Sequence, residues 1–405
     1  MADIVCRISY AMSLRGPQKE ALSYLDAIST HCDYQRDSTA AVEAAATEHC
    51  EKQRPIKVDA KFDFPSFCFA MATGIGKTRL MGASIYYLYK TKGYRHFFIL
   101  APGSTIYDKL RKESNPAHPK YIFKGLEAEM GSPKVYDGEN YDTYPVHYEQ
   151  TALTFEKSSE IELFIFNIGK IFNSKTDTQF NFHKFQETSF SAVLASFNDL
   201  VICMDEAHRY YAPASMKAIN FLKPVLGLEY TATPKSTSNV IYSYDLARGA
   251  VEGYLKTPVV MGRSNMAGYS AADIEEMKIR DGLTQHEHRK AVLRQYCDDH
   301  DLPYVKPIVL IACKDTNHAK DIRSLIDSDG FLNGRYKGKV IEIHSNMKGE
   351  ETEENVRLLL SIEKAENPIE IVLHVYKLKE GWDVNNLFTI IPLNAAKSDI
   401  LAMQT

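Results

Sequence analysis

The sequence predicts an α/β protein built around two parallel sheets. Three observations predict it. Short, almost wholly apolar runs recur along the chain, bounded by turn residues and too brief for helices. Between most of them lie stretches with apolar residues at helical spacing, the alternation expected of βαβ units. The alternation occurs twice, over 66–233 and over 307–393, with a stretch of mixed character between.

The first run, SFCFAM (66–71), reads as a buried strand. It passes through a glycine turn into a helix with Leu80, Met81, Ile85 and Leu88 on one face, ending at Gly93. HFFILAP (96–102), IELFIFN (161–167), DLVICMD (199–205) and GLEYTAT (227–233) supply further strands. Parallel crossovers are right-handed in nearly all proteins, so these elements form one doubly wound sheet. The second series opens at PIVLIAC (307–313), followed by a helix with Ala319, Ile322, Leu325 and Ile326 on one face. KVIEIHS (339–345), a charged helix over 350–364, IEIVLHV (369–375) and LFTIIPL (387–393) complete it. The stretch 112–150, rich in Pro, Tyr and Gly, reads as a surface hairpin or a long functional loop. YSYDLARGAVEGYLKTP (242–258) reads as a connection with a helical portion, and 265–303 as a charged helical insertion. The last residues, AAKSDILAMQT, read as the opening of a helix with Ser398 at its N-cap and no closing signal.

Composition excludes several classes. With 405 residues, 44% of them hydrophobic, 25% charged and a mean hydropathy of −0.29, the chain is globular rather than disordered. A net charge of −4 gives no overall basic field, although a local basic groove suffices to neutralise phosphates. The seven cysteines form no C-x-x-C pair, which points to a reducing compartment with neither a disulfide framework nor a zinc site. The N-terminal MADIVCRISYAMSLR carries Asp3 and no sustained apolar region, so it makes a poor signal peptide, and no run is long enough to span a bilayer. The expectation is a cytoplasmic protein with no membrane partner.

Four motifs carry chemistry. MATGIGKT (71–78) follows a strand and opens a helix, the context of a phosphate loop. Thr73, Gly74, Ile75 and Gly76 would turn backbone amides toward a polyphosphate, aided by the helix N-terminus. Lys77 would reach the β- and γ-phosphates, and the Thr78 hydroxyl would ligate Mg2+. Met71 stands where the strict pattern has glycine. In CMDEAHRYY (203–211), Asp205 ends an apolar strand where a carboxylate holds Mg2+ through water. Glu206 beside it can deprotonate an attacking water, and the strand carrying the pair is a candidate neighbour of the phosphate-loop strand. YTATP (230–234) places the hydroxyls of Thr231 and Thr233 at a strand's C-terminal end, where open α/β sheets bind ligands. LKEGWDVNN (378–386) again follows a strand; Gly381 permits close backbone approach, and Asp383 is placed to contact a ribose or to couple to the first lobe.

Taken in this order, the A-T-G-x-G-K-T loop, the D-E-A-H box completed by His208, the T-A-T-P strand end and the E-G-W-D element resemble superfamily 2 DEAD/DEAH-box helicases. MDEAHRYYAPASMKAINFLKPVLGLEYTATPK (204–235), FNIGKIF (166–172) and LHVYKLKEGWDVNNLFTIIPL (373–393) look like the Res subunit of type III restriction enzymes. The resemblance implies a P-loop NTPase of two RecA-like lobes with parallel central sheets. The first would span 1–245 and the second, truncated at its C-terminal end, 306–405, joined by a connection with a helical insertion over 246–305. It implies an ATP hydrolase using ATP and Mg2+, acting as a translocase or helicase on nucleic acid, most simply duplex DNA, in a restriction or phage-defence system with a methyltransferase partner.

Further roles come from the resemblance residue by residue. SLRGPQKEAL (13–22) is similar to a glutamine motif, in which Gln18 would read the adenine edge with Arg15 close by. Ser104 and Thr105 in LAPGSTIYDKL, Asn167 and Lys170 in FNIGKIF, Lys314 in ACKDTNHA and Ser345 in IHSNMK occupy places that grip nucleic-acid phosphates. Such contacts position a strand without reading its sequence. Thr231, Thr233 and Gln404 would couple nucleotide state to the lobes. The family's last helix reads Q-x-x-G-R-x-x-R, and DILAMQT supplies Gln404 without the arginines, so the expectation is the N-terminal motor portion of a longer polypeptide whose nuclease domain would follow. Two alternatives stay open: an ATP-gated nucleic-acid clamp without efficient turnover, and an RNA or repair helicase of the same superfamily.

Overall fold

The computed structural model describes residues 3–36, 38–50, 62–144, 160–168, 189–257, 259–264, 266–344, 361–375 and 386–393, with 358 and 384 singly. The chain divides into two compact units, Met1–Thr257 and Pro258–Thr405.

The first unit opens with helices α1 (Ile4–Ala11), α2 (Gly16–His31) and α3 (Thr39–His49). Then come β1 (Ser66–Met71), α4 (Lys77–Lys92), β2 (His96–Ala101), α5 (Ser104–Glu113), the short α6 (Glu127–Met130), β3 (Lys134–Asp137) and β4 (Glu162–Asn167). Helix α7 (Ser189–Ser196), β5 (Leu200–Asp205), α8 (Pro213–Phe221), β6 (Leu226–Thr231), β7 (Val240–Tyr244) and α9 (Leu246–Val251) complete it. The seven strands pair in parallel in the order β3-β4-β2-β5-β6-β1-β7. Both faces are covered, which is why the strands read as unbroken apolar runs. In β2, for example, Phe97 and Ile99 enter one core while Phe98 and Leu100 enter the other.

Three features depart from the expected pattern. Strand β6 lies between β1 and β5, so the D-E-A-H strand is not the direct neighbour of the phosphate-loop strand. Residues 240–244 form a strand on the far side of β1, where only a connection was expected. The stretch from 112 is not a hairpin over its described part. Its KVYD segment extends the sheet in parallel as β3, and Tyr121, Ile122 and Phe123 are buried against α4. Gly82 of α4 makes this approach workable, because a Cβ there would stand 2.3 Å from the Ile122 carbonyl oxygen.

The second unit carries α10 (Ala271–Asp299), β8 (Ile308–Ala312), α11 (Thr316–Ile326), β9 (Val340–His344), β10 (Ile371–Val375) and β11 (Leu387–Pro392). Among the described residues its strands are parallel in the order β11-β8-β10-β9. Helix α10 starts at a Ser270–Asp273 capping box and packs on β8 and β11, with Ile279 and Leu283 in the core. Gly282 permits the approach, since a Cβ there would meet Ile391 at 2.4 Å. Glu370 staples this unit: it accepts from Lys290 and Lys339, each at 2.7 Å, and faces His286 at 3.3 Å. Against burial, which would raise it, the hydrogen bonds from His286, Lys290 and Lys339 hold its carboxyl well below the usual range. His286, Glu287 and Glu370 stand close enough to suggest a metal site, but their charge is already answered by lysines, Arg335 and the Tyr336 hydroxyl. Of the charged helix expected over 350–364, only 358 and 361–364 are described, and 361–364 form turns; the helix opening at Ser398 lies wholly outside the described residues. Among the described residues, no helix is long and apolar enough to cross a membrane.

Candidate active site

The site forms where β1, β5 and β6 end. Strand β1 stops at Met71 and α4 starts at Lys77, so the turn between must reverse in five residues. Gly74 and Gly76 make this affordable at φ 86° and 96°, a region that side chains with a Cβ rarely enter. Ile75 is fully buried and anchors the turn. Two side chains at the start of α2 hold it from outside. The Arg15 guanidinium donates to the Gly74 carbonyl, and the Gln18 amide donates to the Gly76 carbonyl, both at 2.9 Å. Gln18 Oε1 in turn accepts from the Arg15 backbone amide at 2.8 Å, which fixes the side chain. Thr73 and Thr78 are half-buried at the two ends of the loop.

Lys77 is buried, with its Nζ 3.5 Å from the Met71 carbonyl and 3.7 Å from Glu206 Oε1. Glu206 is held at φ 48°, a strained conformation for a residue with a Cβ, of the kind that collects at working sites. Its other oxygen lies 3.5 Å from His208 Nδ1. His208 Nδ1 meets the Thr231 hydroxyl at 2.9 Å, and that hydroxyl oxygen also accepts from the Thr233 amide at 3.1 Å. With the oxygen so engaged, the Thr231 hydroxyl proton can point at Nδ1, which suits a neutral imidazole. Burial pushes the His208 pKa down, in the same sense. The strand order explains this chain of contacts. Thr231 on β6 is in register with Ala70 on β1, and its neighbour Tyr230 with Asp205 on β5. The T-A-T-P strand therefore touches both the phosphate-loop strand and the D-E-A-H strand.

Asp205 is 8% exposed, and burial, helped by the Glu206 charge, raises its pKa to about 6. A buried carboxyl with too little positive charge around it, beside a second carboxylate, offers hard oxygen donors, to which the Thr78 hydroxyl in the first turn of α4 would add one more. The set fits Mg2+.

A network that motif spacing does not reveal supports the site from below. Glu229, two residues before Thr231, is buried and accepts hydrogen bonds from Ser66 and Tyr211, each at 2.7 Å. Tyr211 also meets Ser238 at 2.9 Å, tying the segment after the D-E-A-H box to the turn after T-A-T-P. The GLEYT run offered one signal, a charged residue inside an otherwise apolar strand.

The candidate nucleic-acid residues are more dispersed. Ser104 and Thr105 open α5 just beyond the end of β2, and half-buried Asn167 ends β4 in register with Ala101. Lys314 is ion-paired with Glu275 of α10. Lys170, Ser345, Gly381, Asp383 and Gln404 lie outside the described residues.

Residues 12–236, more than half of the chain, match the family described as type III restriction enzyme, res subunit. The chain belongs to this family. A relative of the res-subunit kind, the probable type III restriction-modification enzyme HindVIP Res subunit of Haemophilus influenzae, is 24% identical over 428 residues, covering 80% of this chain and 76% of that protein. Among solved structures, the ATP-dependent Type ISP restriction-modification enzyme LlaBIII bound to DNA superposes with a TM-score of 0.52 at 16% identity. That match covers 94% of this chain, which spans about a quarter (25%) of the other's length, and it shows a shared fold.

Proposed function

We propose that this res-subunit family member is an ATP-driven motor that hydrolyses ATP and moves on duplex DNA, within a restriction or defence system in which a methyltransferase partner reads the sequence. The observation that carries this reading is the unbroken contact chain Lys77–Glu206–His208–Thr231, which links a phosphate loop to the strand end expected to report nucleotide state. The family match and the DNA-bound, ATP-dependent enzyme of like fold support it.

The residues divide the work. The amides of Gly74 through Thr78 and the first turn of α4 bind the β- and γ-phosphates. Asp205 and Thr78 would hold Mg2+, which when bound neutralises charge on the phosphate oxygens. Lys77, now shared with Glu206, is drawn toward the phosphates, and this frees a Glu206 carboxylate oxygen to take the proton of the attacking water. The water oxygen bonds to the γ-phosphorus as the bond to the β-phosphate oxygen breaks, leaving ADP and phosphate. His208 then reports the altered position of Glu206 to Thr231 and the T-A-T-P turn.

The test pairs nucleotide binding with steady-state hydrolysis, with and without duplex DNA. Lys77→Ala is expected to lose both. Glu206→Gln is expected to keep binding and to lose turnover by at least about 100-fold, the usual scale for a general base. Turnover retained in Glu206→Gln would remove it from this role.

A further inference from the structure

Tyr254 and Leu255 come just before the end of the first unit at Thr257, and both lie against the nucleotide-binding elements. Their backbone amides donate to the Gly249 carbonyl at 2.9 and 3.0 Å, which folds the chain back after α9. Leu255 is wedged between two glycines: a Cβ at Gly249 would stand 2.5 Å from its Cδ1, and one at Gly74 of the phosphate loop 3.0 Å from its Cδ2. The Tyr254 hydroxyl lies 3.2 Å from where a Cβ of Gly16 would be, and the residue is 36% exposed. Gly16 stands between Arg15 and Gln18, the two residues that grip the loop.

Strand order decides what this neighbourhood can meet. On one side of β1 lie β6 and then β5 with Asp205 and Glu206; on the other lies β7, which leads through α9 to Tyr254. A triphosphate with its γ end at Lys77 and Glu206 therefore runs along the loop away from β5. Whatever its α-phosphate carries leaves on the β7 side, where Arg15, Gly16 and a half-exposed aromatic ring stand together. We propose that Tyr254 is the platform on which the base of the bound nucleotide stacks. This rests on the nucleotide-binding reading above and adds to it the residue that distinguishes a nucleotide from a bare polyphosphate. Every base offers a π-face, so the platform favours nucleotides as a class.

The test compares two ligands, ATP and inorganic tripolyphosphate, each titrated with Mg2+ into the full chain by calorimetry. Tyr254→Ala is expected to weaken ATP binding about tenfold, within the range of base–aromatic stacking, and to leave tripolyphosphate affinity unchanged. Tyr254→Phe, which keeps the ring, is expected to bind both ligands as the native chain does. Native ATP affinity in Tyr254→Ala would overturn the proposal. So would an equal loss for both ligands, since Tyr254 would then only shape the loop. Lys77→Ala, losing both ligands, marks the phosphate-loop reading separately. A native chain that binds neither ligand would overturn that reading and the platform with it.

Discussion

Asp205→Asn is expected to stabilise the unliganded protein at neutral pH while abolishing its activity. Burial, with Glu206 alongside, moves the carboxyl from its ordinary 3.8 to about 6, and Lys77 and Lys109 only partly offset this. Ionising it in the folded state therefore costs about 3 kcal/mol more than in the unfolded chain. Asparagine carries no charge and keeps the oxygen that accepts from the Glu206 amide at 3.1 Å. Desolvating its amide takes back part of the gain, which leaves about 2 kcal/mol. The sign follows from proton linkage: a raised pKa means that the folded state binds more protons between 3.8 and about 6, so native stability falls as pH rises through that window. The gain should be complete well above pH 6 and absent below about pH 3, because Asp205 is then protonated in both states. Urea denaturation of both proteins at each pH measures it. A variant less stable than native at neutral pH, or a gain of equal size at both, would refute the reasoning.

Two further outcomes test the frame around the site. Thr231→Val removes the hydroxyl shared by His208 and the Thr233 amide in a fully buried position, and should cost about 1–3 kcal/mol in urea denaturation. Nucleotide binding should persist in it while stimulation of hydrolysis by DNA is lost. Gly82→Ala should destabilise by about 2 kcal/mol although alanine favours helix, because its Cβ would fall 2.3 Å from the Ile122 carbonyl; thermal melting that shows a gain would contradict the packing described.

Much of this was legible in the sequence, for physical reasons. Strands buried on both faces are predominantly apolar, so β1, β2, β4, β5, β6, β8 and β10 stand out by composition alone. Strand β7, VIYSY, does not: it mixes hydroxyls with apolar residues and pairs with β1 across a register shift. Strand β3 is four residues long, at a sheet edge, inside a stretch whose prolines and glycines signal turns. Strand order is a long-range property, which is why local pattern left β5 only a candidate neighbour of β1, and the structure inserts β6 between them. At the site, spacing singled out Lys77, Asp205, Glu206 and Thr231, each at a fixed offset from a strand end, and the resemblance added His208; the structure brings Lys77, Glu206, His208 and Thr231 into one chain of contacts. Spacing could not find that Lys314 pairs with Glu275, 39 residues away. Nor could it find Glu229 and Tyr211 meeting across the sheet face.

The two struts from Arg15 and Gln18 have a thermodynamic consequence. A glycine-bearing turn left to itself must be ordered whenever it receives a ligand, at about 1–2 kcal/mol for each residue fixed. Here the carbonyls of Gly74 and Gly76 are already tied down, so that entropy is lost once, when the domain folds, and is not charged again at each arrival. In a device that loads and empties many times, the saving recurs with every cycle. The struts belong to the readiness of the empty state, and removing one would register in how tightly a ligand is held before it would register in how fast a bond breaks.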